Sequence, residues 1–184
     1  MTFPGSTPDA LAAAVHGDER GFAVLYREVA PPLLRYLRVV VGADAEDVAA
    51  EVWLEVARDI RSFRGDAGAF RAWVFTVGRH RGIDLLRRRG RRSVVTLAET
   101  PECASPDDTE ASALDAISTA TALAVISRLP RDQAEAVMLR VVAGLDVAEV
   151  ARILGKRPGA VRVNTLRGLR RLKDLLPVTS AHEV

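Results

Sequence analysis

The sequence predicts an all-α protein made of two small helical domains joined by a flexible acidic linker. Apolar residues recur at helical spacing along most of the chain, aromatic residues are only 5% of its 184 residues, and sustained apolar–polar alternation is absent. Residues 96–108 carry two prolines and two adjacent aspartates without periodicity, which is typical of a linker. We therefore predict domains over 8–95 and 113–178, with the linker over 96–112.

The first domain is predicted to contain four helices. Pro8 suits the first helical position after Thr7, and Gly17 suits the end of that helix. A second apolar pattern follows, and we expect Pro31 and Pro32 to break or kink it. By the same spacing, the second helix is expected over 18–30 and continues over 33–42 after the prolines, and the third and fourth are expected over 44–60 and 69–89.

The second domain is predicted to end in a helix-turn-helix over 144–172. Asp146 and Glu149 form a capping box in its aspartate form, and Gly155 stops the helix that they start. A short turn then leads to a second, basic helix of the kind that fits the major groove of DNA. The alternative is an ordinary helical hairpin with a solvated basic face. Two further helices are expected ahead of this motif, over 111–129 and 132–142.

The last of these helices has two different faces. The face expected to pack against the domain carries Val161, Thr165, Leu169, Leu172 and Leu176. The opposite face carries Arg162, Val163, Leu166, Arg167 and Arg170. Between residues 152 and 173, eight residues are Lys or Arg and none is acidic, and phosphate contacts require such charge.

Charge is distributed unevenly, although the formal net charge is only +2. Residues 61–92 hold ten arginines against two aspartates, whereas residues 93–127 hold six acidic residues and no Lys or Arg. The chain turns basic again from Arg152. The charge order is therefore basic, acidic, basic.

An acidic stripe runs along the third predicted helix. Asp44, Asp47, Glu51 and Glu55 follow at steps of three, four and four residues, so they share one helical face. Like charges stacked in this way cost a few tenths of a kcal/mol per pair, which a purely structural helix avoids by mixing in lysine. The stripe is either a docking surface for a basic partner or an ordinary solvated face.

The loop 63–68 and the helix after it combine aromatic side chains with arginines. Four side chains are at core spacing: Phe70, Trp73, Val74 and Val77. We expect the exposed remainder, with Phe75 and residues 79–81, to suit unstacked bases, because aromatic platforms and cations hold single strands. The alternative is that Phe75 is a plain surface aromatic and residues 87–92 are a solvated tail.

The sequence contains no pattern that predicts a metal site, a cofactor or a membrane span. The histidines lack ligand spacing, and the single cysteine, Cys103, cannot anchor a cysteine-based zinc site or an internal disulfide. We expect Cys103 to be a plain linker residue rather than a redox sensor. Apolar runs are too short to span a bilayer and no secretory signal is visible, so we expect a cytoplasmic protein without membrane insertion.

Several motifs occur in an order and at a spacing that match one known family. In the first domain they are Phe22-x-x-Leu25-Tyr26, the acidic segment 44–53, Phe63-Arg-Gly-Asp66, Ala72-Trp73 through Arg79, and Ile83-Asp84 through Arg87-Arg88. In the second domain they are Leu129-Pro130 with Gln133, and the tract Val161 to Leu172. Together they resemble the extracytoplasmic-function (ECF, group IV) sigma factors of bacterial RNA polymerase, over roughly residues 22–176. Each motif alone is weak, whereas their joint order is strong.

The resemblance implies a transcription initiation factor that needs no cofactor and is not an enzyme. In that family the first domain, region 2, docks on the clamp helices of the β′ subunit and captures the melted non-template strand of the −10 element. The second domain, region 4, meets the β flap and reads the −35 element as duplex. An anti-sigma factor is a further expected partner.

The resemblance also assigns residues to these surfaces. It assigns polymerase binding to Asp44, Asp47, Glu51 and Glu55. It assigns contact with the −10 element to Arg64, Asp66, Phe75, Arg79, His80 and Arg87. It assigns contact with the −35 element to Arg162, Val163, Leu166, Arg167 and Arg170. The family commonly has Asn at the position of His80, and imidazole has a different hydrogen-bond pattern, so the base preference does not carry over.

Two other classes of protein compete with this interpretation. A helix-turn-helix repressor or activator would bind a palindrome as a dimer without polymerase, and the acidic stripe would then have no role. A nuclease using His80 and Asp84 would need a carboxylate cluster or metal spacing, which the sequence lacks.

Overall fold

In the computed structural model, which describes residues 8–92 and 110–175, the chain folds into eight α-helices, and no strand occurs in these two ranges. The helices are α1 (Pro8–Val15), α2 (Glu19–Val41), α3 (Ala45–Asp59), α4 (Ala67–Arg92), α5 (Glu110–Ser127), α6 (Arg131–Val137), α7 (Val147–Leu154) and α8 (Pro158–Leu175). Short 3₁₀ turns flank α3 at Gly42–Asp44 and Ile60–Ser62, and a π-helical turn, Met138–Val142, continues α6. The prediction of an all-α fold is confirmed.

A capping box and two glycines mark helix boundaries as predicted. Asp146 Oδ1 accepts from the Glu149 N–H, and Glu149 Oε2 accepts from the Asp146 N–H, both at 2.7 Å, so the capping box is present. Gly17 and Gly155 have φ of 92° and 63° at the ends of α1 and α7, a conformation that glycine adopts without a Cβ clash. Local sequence therefore sets these boundaries.

Of the break or kink expected at Pro31 and Pro32, the break was wrong, because α2 continues through both residues; the kink stays a prediction. Proline removes a backbone donor and disfavours a helix interior. However, Val29, Leu33 and Leu37 are at most 2% exposed on either side of the prolines. Burial of this apolar face stabilises the continuous helix more than the prolines disfavour it.

The core of the first domain lies between α2, α3 and α4, and α1 packs along α2. Close helix crossings depend on glycine. A Cβ on Gly78 would lie 2.8 Å from Leu33 Cδ1, and a Cβ on Gly21 would lie 2.6 Å from the Ala10 carbonyl oxygen. Both distances are below van der Waals contact, so these positions let α4 and α1 approach α2.

In the second domain, α8 packs against α6 and α7. A Cβ on Gly168 would lie 2.7 Å from Val137 Cγ2, so a glycine at this position allows the α6–α8 crossing. Val150 of α7 and Val161 of α8 are fully buried. The predicted helix-turn-helix is therefore confirmed as a structural unit.

The two domains touch each other. α2 contacts α5 and α6, and α4 contacts α7, so the buried side chains of both domains form one apolar cluster. Most of the predicted linker falls in 93–109, outside the described residues, and residues 110–112 belong to α5. The domain bounds therefore stay a prediction. None of the described helices has both the length and the apolar character that a membrane span requires.

Candidate nucleic-acid interface

The outer face of α8 carries the residues that were predicted to contact the −35 element. All five are exposed: Arg162, Val163, Leu166, Arg167 and Arg170. Val161, on the opposite side, is completely buried against the domain. The predicted orientation of this face is confirmed, and its DNA contacts stay a prediction.

Two apolar side chains lie among these arginines, because Val163 and Leu166 are 45% and 50% exposed. Apolar surface left in water forgoes the free energy that burial would provide. The major groove offers such side chains the thymine methyl group, and it offers arginine the guanine edge. The α8 face thus combines the two kinds of contact that duplex readout uses.

The buried face of α8 differs from the prediction at one position. Leu169, expected in the core, is 42% exposed, and Gly168 is buried instead against Gln133 and Val137 of α6. Because glycine has no apolar side chain, hydrophobic periodicity did not identify Gly168 as a packing position. Leu176 lies outside the described residues.

Asp66 and Arg64, predicted at the −10 element, stabilise the loop before α4, which covers residues 63–66 because α4 already begins at Ala67. Asp66 Oδ1 accepts from the Ala69 N–H at 2.8 Å and so caps the start of α4. The Arg64 guanidinium donates to the carbonyl oxygens of Phe63 and Arg61, at 2.7 and 3.1 Å. Both side chains remain at the exposed surface of the loop. The spacing from Asp66 to Ala69 was a capping signal that the sequence analysis missed.

An aromatic cluster joins the first residue of this loop to α4. Phe63 stacks on Trp73 with ring centroids 5.3 Å apart and 23° between the planes, and Phe70 meets both rings edge-on. Phe70 is buried, whereas Phe63 and Trp73 are half-buried. Phe63 and Trp73 are therefore a partly accessible aromatic pair on this side of the domain. Phe63 begins the loop that was predicted to hold an unstacked base, whereas Trp73 was predicted to lie in the core.

Phe75 was predicted to stack on bases, and this prediction was wrong for the observed conformation. Its side chain is 0% exposed and meets the ring of Tyr36 edge-on at 5.7 Å. The alternative, that Phe75 is a plain surface aromatic, is wrong as well. The physical reason is that α4 contacts α2, α3 and α7, so its packed surface is wider than one apolar stripe.

The basic side chains that were predicted to contact the −10 element from α4 fall into two groups. His80 and Arg87 are exposed, and Arg87 lies 3.5 Å from the Asp84 carboxylate. Arg79 is only 19% exposed, and its Nε donates to Glu135 Oε2 of α6 at 2.7 Å. Of the predicted −10 residues on this helix, His80 and Arg87 are therefore at the surface, whereas Arg79 is paired with Glu135 of the second domain.

The acidic stripe on α3 is divided between paired and exposed carboxylates. Glu55 accepts from Arg81 Nε at 2.9 Å, and Asp44 accepts from Arg89 at 2.6 Å. Asp47 and Glu51 are exposed. Leu54, on the same helix, is 73% exposed. The accessible stripe therefore consists of Asp47 and Glu51 with a leucine beside them.

Burial shifts the pKa of two groups near the domain contact. Desolvation raises the pKa of the Tyr36 phenol far above its usual value, and nearby Glu135 adds to this shift. Desolvation lowers the pKa of Arg71, opposed by Glu28 and Glu149. No group of three or more His, Cys, Asp or Glu placed to hold a metal ion occurs among the described residues.

The chain matches two family models, Sigma-70 region 2 over residues 25–92 and Sigma-70, region 4 over residues 120–172. It is 35% identical to the ECF RNA polymerase sigma factor SigD of Mycobacterium tuberculosis (strain H37Rv), which covers 95% of this chain and 86% of SigD. It is also 35% identical to the ECF RNA polymerase sigma factor BldN of Streptomyces coelicolor, with 88% of this chain but only 62% of BldN covered.

Two solved structures have a similar fold. The sigma factor RpoE, in complex with the anti-sigma factor NepR from Bartonella quintana, gives a TM-score of 0.68 at 23% identity, over 87% of this chain and 99% of RpoE. CnrH, in complex with the cytosolic domain of CnrY, gives 0.62 at 22% identity, over 95% of this chain and 99% of CnrH. At these identities the likeness concerns the helical two-domain fold.

Proposed function

Since the chain belongs to the ECF sigma factors of RNA polymerase, we propose that it directs the polymerase core to specific promoters through three surfaces. The observation that carries this proposal is that one chain exposes a basic helix face on α8 and a pair of carboxylates on α3. A repressor that acts as a dimer needs only the first of these surfaces. The members of this family are initiation factors, not enzymes.

The first surface is the α8 face, which we assign to the −35 element as duplex. Arg167 and Arg162 suit guanine edges and phosphates, and Val163 and Leu166 suit thymine methyl groups. Support comes from the exposure of all these side chains on the second helix of the helix-turn-helix.

The second surface is the accessible acidic stripe, which we assign to the polymerase core. Asp47 and Glu51 would meet basic side chains on the clamp helices of β′, and Leu54 would supply apolar area at the centre. Asp44 and Glu55 would contribute less, because Arg89 and Arg81 already neutralise them. Region 4 would meet the β flap.

The third surface is assigned to the melted non-template strand of the −10 element. Arg64 and Asp66 shape the loop that would hold an unstacked base, and His80 and Arg87 are exposed farther along α4. Phe63 and Trp73, rather than Phe75, are the candidate stacking platform. Arg79 would join them only after leaving Glu135.

The partners of the structural relatives support one more assignment. RpoE is bound to an anti-sigma factor and CnrH to the cytosolic domain of CnrY. An anti-sigma factor is therefore the regulatory partner that we propose for this chain.

Two measurements test the proposed function. Gel filtration with core polymerase should give a stable one-to-one complex, and run-off transcription should start at defined sites only when the chain is present. Mapping transcript 5′ ends after overexpression would supply those sites. A chain that ignores core polymerase and binds a palindrome as a dimer would refute the proposal.

A further inference from the structure

The turn between α7 and α8 is tied to α6 by an ion pair. The turn covers residues 155–157. Within it, the Lys156 ammonium donates to the carboxylate of Asp132, which lies in the first turn of α6. The Lys156 N–H also donates to the Ala151 carbonyl oxygen of α7, at 2.9 Å. Lys156 is therefore bound by both of the helices against which α8 packs.

This pair separates Lys156 from the other basic residues of the motif. By composition Lys156 is one of the eight Lys and Arg residues of 152–173, whose charge suits phosphate contacts. In the structure its ammonium is used inside the domain, and its side chain is 27% exposed, whereas Arg157 and Arg162 after it are exposed. Asp132 is an anion, which a DNA phosphate repels. The pair therefore acts on the domain rather than on the DNA backbone.

A second contact with α6 holds α8 farther along its length. A Cβ on Gly168 would lie 2.7 Å from Val137 Cγ2 and 3.3 Å from the Gln133 carbonyl oxygen, so α8 rests directly on α6 at this crossing. Gly168 lies about 15 Å along the helix axis from Pro158, the first residue of α8. One crossing fixes the position of a helix but lets it pivot. The ion pair ahead of Pro158 adds a second fixed point and so sets the direction of the axis.

The direction of α8 matters most at its N-terminal half. In a helix-turn-helix, the N-terminal residues of the second helix contact base edges, and here they include Arg162, Val163 and Leu166. A binding site has to be held within about 0.5 Å and 10–20° of its productive geometry. Phosphate contacts carry no sequence information, and long arginine side chains can follow a phosphate. A change in the tilt of α8 therefore lowers sequence discrimination more than it lowers overall affinity.

We infer that Asp132 is a positioning residue for the −35 element: through Lys156 it fixes the direction in which α8 enters the major groove, and it does not touch DNA itself. Because α8 is the surface proposed for the −35 element, this role rests on the proposed function. The quantity that Asp132 controls is the ratio of the affinities for the promoter and for a scrambled −35 sequence. A partly exposed ion pair can change that ratio by at most about fivefold.

The test uses holoenzyme assembled from core polymerase and the full chain, as wild type or as a variant. Asp132→Asn removes the partner of Lys156, Asp132→Glu keeps a carboxylate, and Lys156→Gln removes the ammonium. Asp174→Asn is the matched control, because Asp174 is an exposed acid of α8 and its loss changes the net charge as Asp132→Asn does. Anisotropy titrations use a mapped promoter fragment and the same fragment with a scrambled −35 element.

We expect Asp132→Asn and Lys156→Gln to lower the ratio of the two affinities about threefold to fivefold. Asp132→Glu and Asp174→Asn should keep the ratio of wild type. Partial unfolding lowers both affinities equally and leaves their ratio unchanged, so the ratio separates positioning from stability. An unchanged ratio for Asp132→Asn, or an equal fall for Asp174→Asn, would overturn the role of Asp132.

Salt dependence distinguishes positioning from a direct phosphate contact by Lys156. Loss of one phosphate contact reduces the slope of log affinity against log salt by about one, whatever the sequence. If Lys156 acts through Asp132, Lys156→Gln leaves the slope on the scrambled fragment unchanged. A reduced slope with an unchanged ratio would assign Lys156 to the DNA backbone and would also overturn the role of Asp132.

Wild-type holoenzyme separates this result from the proposed function. If it initiates in run-off transcription and prefers the promoter fragment, variants with an unchanged ratio refute only the role of Asp132. If it does not initiate, or binds both fragments equally, the assignment of α8 to the −35 element is refuted and the role of Asp132 with it.

Discussion

α4 and α8 are both arginine-rich helices proposed to contact DNA, but they are covered to different extents. α8 packs mainly against α6 and α7 and leaves a whole face exposed. α4 contacts α2 and α3 of its own domain and α7 of the other domain. The proposed DNA surface of the second domain therefore lies on one exposed helix face, whereas the proposed DNA surface of the first domain includes Arg79, which is paired with Glu135 of the second domain.

The strongest test of this difference in coverage is to truncate one large apolar side chain on α4 and one on α8. Phe75→Ala removes a fully buried ring, so it should lower the free energy of unfolding by about 3–5 kcal/mol. Leu166→Ala removes a half-exposed side chain, so it should change stability by no more than about 0.5 kcal/mol. Urea unfolding of the full chain measures both. Equal effects would mean that α4 and α8 are not covered differently.

A second prediction extends the comparison to α3, whose accessible stripe, Asp47 and Glu51, is exposed. Asp47→Lys with Glu51→Lys should weaken binding to core polymerase at least about a hundredfold, which corresponds to ~2.7 kcal/mol. The helix should stay folded because both side chains are exposed. Gel filtration and a binding titration with core polymerase measure the loss.

The control for this variant is a matched double reversal at Asp9 and Glu19, exposed acids on α1 and α2. It changes the net charge equally but lies outside the stripe. Retained binding by the Asp47 and Glu51 variant, or an equal loss in the control, would remove the docking role from α3.

The same difference in coverage explains what the sequence predicted and what it did not. Helix ends follow from local chemistry, so Gly17, Gly155 and the Asp146–Glu149 box were recognisable. The exposed face of α8 followed from periodicity because one side of the helix is packed. Burial of Phe75 was not predictable in this way, since it depends on helices that are distant in sequence.

Ion pairs between residues that are far apart in the sequence could not be predicted either. Asp44 and Arg89 are 45 residues apart, and Arg79 and Glu135 are 56 residues apart. Periodicity placed Asp44 on an acidic face and Arg79 on a basic helix, but it gave no information on their partners. The predicted sites on both helices were therefore reduced by ion pairs that only the tertiary structure creates.

A third prediction tests whether the exposed α8 face recognises sequence. Arg167→Ala should weaken binding to the −35 duplex of a mapped promoter by about 1–3 kcal/mol if the side chain contacts a base. Arg171→Ala is the matched control, because Arg171 donates to the Gln133 side-chain oxygen at 3.1 Å. Anisotropy titrations on the promoter duplex and on a scrambled duplex measure the effect. An equal loss on both duplexes would indicate a phosphate contact instead.

The smallest predicted effect concerns α7, the helix that contacts both α8 and α4. Asp146→Ala removes the acceptor for the Glu149 N–H and should lower the free energy of unfolding by about 1 kcal/mol.

Asp146→Asn should retain nearly all of that stability, because asparagine is an equally good N-cap. Urea unfolding of the two variants separates capping from charge. A stability loss as large for Asp146→Asn as for Asp146→Ala would mean that the carboxylate charge, rather than the N-cap hydrogen bond, stabilises α7.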